Sequence, residues 1–196
     1  MSPLILPALP AHETIVAKTR GHRAIPRERP DEIDLPGPGE EGVWDFARPP
    51  LVRPAAGRLR VEWRGHLVAA SDRALEIVET AGAPVPYFPP EDVDLALLAN
   101  PGHITLCEWK GAAVHFDLAD GAAVSRRAAF TYPDPLRDLG RGFERITGWF
   151  AFYPARVGVC WRDDEPCRPQ LGGCSAGWVS NHLFGPIKGT SSSARW

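Results

Sequence analysis

The sequence has no excess of charge of either sign: 22 Lys and Arg stand against 24 Asp and Glu, for a formal net charge of −2. That excludes a nucleic-acid binder driven by bulk positive charge, and no nucleic-acid partner is expected. No run approaches the roughly 18 uninterrupted apolar residues that cross a bilayer, so no membrane partner is expected either. The N-terminal stretch Met1 to Pro10 is apolar, but three prolines cut it and no basic segment precedes it. It makes a poor signal peptide, and a soluble, cytoplasmic protein is expected. The four cysteines, Cys107, Cys160, Cys167 and Cys174, include no C-x-x-C pair, and the last three stand seven residues apart. That spacing fits no common zinc site, so buried, reduced thiols are expected, with no metal and no cofactor. Long stretches free of Pro and Gly are also scarce: 21 Pro and 19 Gly argue against long helices and for many turns.

What is present suffices for a core. Hydrophobic residues make up 44% of the chain, with seven Trp and eight Phe to supply bulk. Residues 1–42 read as a Pro/Gly-rich N-terminal extension, a flexible tail or an arm on the surface. Pro26, Pro30, Pro36 and Pro38 punctuate its charges, and no helical or strand period lasts beyond a turn. The packed domain is expected over residues 43–196, opening at Val43-Trp44-Asp45-Phe46. Leu59, Val61 and Trp63 alternate with Arg60 and Glu62 as a half-buried strand. Ser71 as an N-cap before Ala74, Leu75, Ile77 and Val78 predicts a two-turn helix, and Pro90-Glu91-Asp92 predicts a second helix start. From Ile104 the period becomes two. Ile104, Leu106, Glu108 and Lys110 then project one way, and Thr105, Cys107 and Trp109 the other. The pattern resumes after Gly111, turns at Asp120-Gly121, and continues in strand candidates at 123–131, 146–153 and 157–162. The fold class is mainly β (α+β), antiparallel, with short helices.

Six segments occur in order along the chain: Val43-Trp44-Asp45-Phe46 with Arg48-Pro49-Pro50; Ala83-Pro84-Val85-Pro86-Tyr87-Phe88-Pro89; Cys107-Glu108-Trp109-Lys110-Gly111-Ala112; Thr131-Tyr132-Pro133-Asp134-Pro135; Ala151-Phe152-Tyr153-Pro154; and Gly185-Pro186-Ile187-Lys188-Gly189. Together they resemble the bacterial and fungal family known as domain of unknown function 427, over residues 43–196. The resemblance implies a compact β-tent-like fold, similar to methionine sulfoxide reductase B and to the thalidomide-binding domain of cereblon. Those relatives hold zinc through two C-x-x-C pairs, which this sequence lacks, so no metal is carried over. Some catalogues label the family a nucleotidyltransferase. The sequence departs from the family pattern at Cys174-Ser175-Ala176-Gly177-Trp178, at His115-Phe116 and at Phe130, positions where the family often carries more aromatic residues.

The Cys-Glu-Trp-Lys-Gly stretch holds most of the candidate chemistry. Glu108 and Lys110, two apart on one strand face, either form a structural ion pair or flank a ligand, Lys110 binding an anion or carbonyl that Glu108 orients. Burying both charges is costly unless they are paired. Cys107 is expected on the opposite face. As a nucleophile it needs a base, and His103 and His115 are the neighbours that could supply one; a buried structural thiol is the plainer reading. Glu108, Lys110 and Cys107 are therefore the catalytic candidates.

Tyr87, Trp109, Tyr132, Tyr153 and Trp178 form an aromatic set able to wall a pocket. Asp134, held between two prolines, is a rigid wall or a plain turn. Lys188 lies in a Gly-rich stretch that does not match a phosphate loop. The expected function is a small-molecule-binding β domain whose ligand, of unknown identity, meets Tyr87, Glu108, Trp109, Lys110, Tyr132, Asp134 and Trp178. The alternatives are an enzyme of nucleotidyltransferase or other acid/base type, and a protein-interaction module docking through Trp44 and the Pro-rich arm.

Overall fold

A computed structural model describes residues 5–25, 28–33, 35–172, 176–190 and 193; Cys174 lies outside them. The chain opens with helix α1 (His12–Arg23) and a short β1 (Glu41–Gly42). There follow β2 (Leu51–Pro54), β3 (Leu59–Trp63), β4 (His66–Ser71), β5 (Leu75–Val78) and β6 (Val85–Tyr87). A long meander comes next: β7 (Leu98–Cys107), β8 (Gly111–Asp120) and β9 (Ala123–Thr131). The chain ends with β10 (Phe150–Phe152), β11 (Val159–Arg162), β12 (Glu165–Pro169), β13 (Trp178–Val179) and β14 (Leu183–Phe184).

The strands form a four-stranded sheet ordered β10-β9-β8-β7, a five-stranded sheet ordered β13-β12-β11-β3-β4, and a three-stranded sheet ordered β2-β5-β6. All of these pairings are antiparallel; β1 pairs with β14 in parallel. The fold is thus mostly β, built from several antiparallel sheets. No helix among the described residues is long and apolar enough to cross a membrane.

β8 explains how one sheet serves two cores. Val114, Phe116 and Leu118 point into a first core with Leu59, Val61, Phe88, Phe152 and Trp178. Ala113 and the buried His115 point to the opposite side, where Tyr87, Phe130, Tyr132 and Phe143 form a second core. A strand covered on both faces needs apolar or small residues at nearly every position, and β8 has them. Asp120-Gly121 makes the β8–β9 turn, with Asp120 opposite Ala123 and Gly121 at φ +55°.

Several expectations are corrected. The helix expected after Ser71 is the strand β5, all four residues of which are buried. Leu75, Ile77 and Val78 suit a helical stripe, but three apolar residues in four suit a doubly covered strand equally, and pairing with β2 and β6 decides it. The helix expected from Pro90 is two separate 3-10 turns, Pro90–Asp92 and Leu95–Leu97, the second capped by the Asp94 side chain accepting from the Ala96 N–H. Residues 12–23, where no period was legible, form α1, with Ile15 1% exposed against Ala112 and Leu136. Trp44 is no exposed docking residue. It is buried with Val43 and Ala81, and its indole N–H donates to the Pro186 carbonyl at 3.0 Å.

A chain of charges around the buried Glu76 ties four elements together. Glu76 on β5, 1% exposed, accepts from Arg53 on β2 and from Arg162 on β11, each at 2.8 Å. Arg53 also holds Glu41 at 2.6 Å, which keeps the Glu41 carboxyl below its ordinary value. Cys160 and Cys167 are free thiols directly opposite each other on β11 and β12. Burial pushes Cys160 well above the ordinary thiol value and Cys167 up to about 11, so both stay protonated at neutral pH.

Candidate functional site

The site begins at a correction. β7 ends at Cys107, which pairs with Gly111, so residues 108–110 are a three-residue hairpin loop rather than strand. Gly111 sits at φ +100°, the left-handed position that such a loop needs to match the strand twist. The alternation of side chains therefore stops at Cys107. Lys110, expected on the face opposite Cys107, turns instead into the same cleft as Cys107 and Glu108.

This cleft, of about 680 Å³, lies over the second-core face of the four-stranded sheet. The register sets His103 opposite His115, His115 opposite Phe130, and Thr105 opposite Ala113, so these side chains share one face with Tyr132. Tyr87 from β6 and Glu79 from the segment after β5 come from the neighbouring sheet, while Gln170–Gly172 and Lys188–Gly189 close the far side. Gln170 clips that wall in place: its amide accepts from the Ala83 N–H at 2.9 Å and donates to the Lys188 carbonyl at 3.0 Å. Rings line much of the interior, with Phe130 5.9 Å from Tyr132 and 5.1 Å from Tyr153.

The electrostatics follow from burial and neighbours. Burial works to raise the Glu79 carboxyl, but Lys188 at 3.2 Å, Lys110 and Arg48 outweigh it and hold Glu79 below the usual value. Burial likewise works to lower the Lys110 ammonium; Cys107, Tyr87, Glu79 and Glu108 overcome it, and Lys110 is raised. Burial pushes the hydroxyls of Tyr87 and Tyr132 up, so both remain neutral donors.

His115 is pulled down to about 4 by burial and by His103, Arg156 and Arg127, so its ring is neutral at pH 7. One of its nitrogens meets Thr105 Oγ1 at 2.8 Å; the other, Nδ1, is buried without a partner, as is the Tyr87 hydroxyl. Two further depressions, of about 480 and 620 Å³, lie beside Leu183–Pro186 and between α1 and Leu136. Among the described residues, neither is lined by a buried polar atom lacking a partner.

Of the residues expected to meet a ligand, Tyr87, Glu108, Lys110 and Tyr132 line the cleft, as does Cys107. Trp109, Asp134 and Trp178 do not. Trp109 is buried behind the loop, with the guanidinium groups of Arg48 and Arg23 at 5.0 and 5.8 Å from its ring. Arg23 at the end of α1 also donates to the Glu108 carbonyl at 2.6 Å, so the helix grips the loop that carries Lys110. Asp134 is exposed on the α1 side, paired with His12 at 3.1 Å. Trp178 fills the first core.

Among the described residues, neither histidine is hydrogen-bonded to Cys107. His115 bonds Thr105, and the contacts of Cys107 are Glu108 at 3.8 Å and the Tyr132 hydroxyl. Glu79, Arg127, Phe130, Arg156 and Lys188 were not anticipated in the site. Of these, Lys188 carried a signal in its Gly-rich motif, and Phe130 only as a departure from the family pattern. No group of three or more His, Cys, Asp or Glu among the described residues is placed to hold a metal ion.

A mostly β domain with a polar and aromatic cleft between its sheets is the class of protein that these features define. The chain belongs to the family described as Domain of unknown function (DUF427), whose model, labelled NTP_transf_9, matches residues 51–163. The match runs from β2 to just past β11 and takes in the cleft residues from Glu79 to Arg156, while Gln170 and Lys188 fall outside it. The comparison with curated proteins found no match.

Proposed function

We propose that this domain binds a small organic molecule in the cleft over β7, β8 and β9, with Lys110 and Glu108 as its polar contacts and Tyr87, Phe130, Tyr132 and Tyr153 as its walls. The observation that carries the reading is the buried, unpartnered Tyr87 hydroxyl lining a cleft that also holds Lys110. A buried donor left without an acceptor costs about 1–3 kcal/mol, which a ligand atom in the cleft recovers. The cleft volume falls within the range of roughly 300–1,000 Å³ common to small-molecule sites. Lys110 acts as a fixed ammonium rather than a nucleophilic amine, because its neighbours favour the charged form. The facing thiols of Cys160 and Cys167 suit a reducing, cytoplasmic setting.

The test is a metabolite screen by amide chemical-shift mapping on the full chain, with nucleotides included in the presence and absence of Mg²⁺. Hits whose shifts cluster at Tyr87, Lys110, His115 and Tyr132 support the reading. Hits that map instead to the groove between α1 and Leu136 overturn it. A nucleotide bound only with Mg²⁺ replaces it with group transfer, as the family label suggests.

A further inference from the structure

We infer that the ligand of this cleft is a small organic acid, a flat and largely apolar body between the aromatic walls with its carboxylate directed to Lys110 and the Tyr87 hydroxyl. The inference rests on the cleft being a ligand site and adds the chemical class.

Charge is the first argument. Lys110, Lys188, Arg127 and Arg156 line the cleft against two carboxylates, Glu79 and Glu108. Glu79 is already occupied, by Lys188 at 3.2 Å and by Arg48. Lys110 makes no ion pair with any carboxylate among the described residues, although it is half-buried and lies in the fields of Glu79 and Glu108. A cation partly withdrawn from water and lacking a direct counter-charge favours an anionic ligand and opposes a cationic one.

Donor supply is the second. The Tyr87 hydroxyl and the Lys110 ammonium both lie in the cleft and are electrostatically coupled to each other. The hydroxyl is buried and has no acceptor in the protein. One carboxylate accepts from both groups, and charge-assisted hydrogen bonds are about twice as strong as neutral ones. Shape and residual charge complete the assignment. The Phe130, Tyr132 and Tyr153 rings favour a planar apolar body. The nearby Glu108 penalises a second negative charge, which selects a monoanion over a phosphate.

Full-length protein titrated with benzoate, benzamide, benzylammonium and inorganic phosphate at constant ionic strength tests this. Benzoate is expected to shift the amides of Tyr87, Lys110, Ala113 and Phe130 and to bind about tenfold or more tighter than benzamide. Lys110→Gln is expected to erase that preference, benzoate affinity falling to that of benzamide in the same variant. Should Lys110→Gln fail to fold, Tyr87→Phe is expected to weaken benzoate by a larger factor than benzamide, whose neutral carbonyl accepts the same bond less strongly. Benzamide or benzylammonium binding in the cleft as tightly as benzoate overturns the acid assignment and leaves the ligand-site reading standing, as does phosphate binding more tightly than benzoate. If no probe moves the cleft amides, the ligand-site reading itself falls.

Discussion

Acidification should destabilise this protein through one imidazole, well before its carboxylates titrate. His115 is 5% exposed, faces Arg127 and Arg156, and has its pKa pulled from 6.5 to about 4 by burial first and then by those cations and His103. Because the folded state holds the proton less tightly than the unfolded chain, the unfolded chain binds more protons between pH 6.5 and about 4. Stability is therefore full above pH 6.5, falls as pH drops through that window, and loses nothing further from this group below about 4. Each pKa unit is worth about 1.4 kcal/mol, so charging His115 removes about 3 kcal/mol in all, most of it by pH 4.5. That is a large share of the roughly 5–15 kcal/mol that holds a domain together. Glu41, Glu79 and Asp92, whose values are lowered from the ordinary carboxylate range, lose their contributions only at lower pH.

Urea unfolding of the native protein and of His115→Gln at steps from pH 7.5 to 4.5 isolates the effect, since both share every other titrating group. The wild type should lose about 2–3 kcal/mol more than the variant across the range. The folded His115 ring protons should show no titration above pH 5. Parallel stability profiles for the two proteins, or a ring that titrates near 6.5, would refute the reasoning.

Glu76→Ala should cost about 3–5 kcal/mol, because it leaves Arg53 and Arg162 facing each other without the buried carboxylate between them. The thermal midpoint should then fall by roughly 10 °C, whereas Glu91→Ala, which removes an exposed partner of Arg73 at 3.4 Å, should leave the midpoint unmoved. Gly111→Ala should cost about 1–3 kcal/mol in urea unfolding, since the residue sits at φ +100° and a new Cβ would lie 3.2 Å from Leu136 Cγ; an unchanged unfolding midpoint would contradict the hairpin geometry. Arg23→Ala should speed amide exchange at residues 108–110 by about tenfold through loss of its bond to the Glu108 carbonyl. Unchanged exchange there would show that α1 does not brace the loop.

Local signals carried much of this fold. The alternation through Val114, Phe116 and Leu118 and the Asp-Gly turn at 120–121 each depend on residues next to one another in the chain, and each appears in the structure. The Cys-Glu-Trp-Lys-Gly stretch was legible as the richest in chemistry. Its geometry was not, because period-two reasoning continues a strand until something breaks it, and the break was the glycine that follows the loop. Reading Gly111 as a left-handed hairpin position would have moved Lys110 to the side of Cys107. Leu75 to Val78 failed for a related reason: in so short a run, helix and buried strand share one pattern, and only the partners on β2 and β6 separate them.

Composition and spacing by themselves determined that this chain is β-rich and that its charges are balanced, and they singled out residues 107–111 as candidates. They do so because turns, strand alternation and net charge are properties of near neighbours or of the whole. Which side chains meet was decided by the tertiary structure alone. Glu79 pairs with Lys188 and Glu76 with Arg162 only because separate sheets close on one another. The Tyr87 hydroxyl is orphaned, and the His115 ring kept neutral, only because burial withdraws them from water. Contacts made across so many intervening residues leave no periodic trace, since the field at a buried group is set by whatever folding brings beside it.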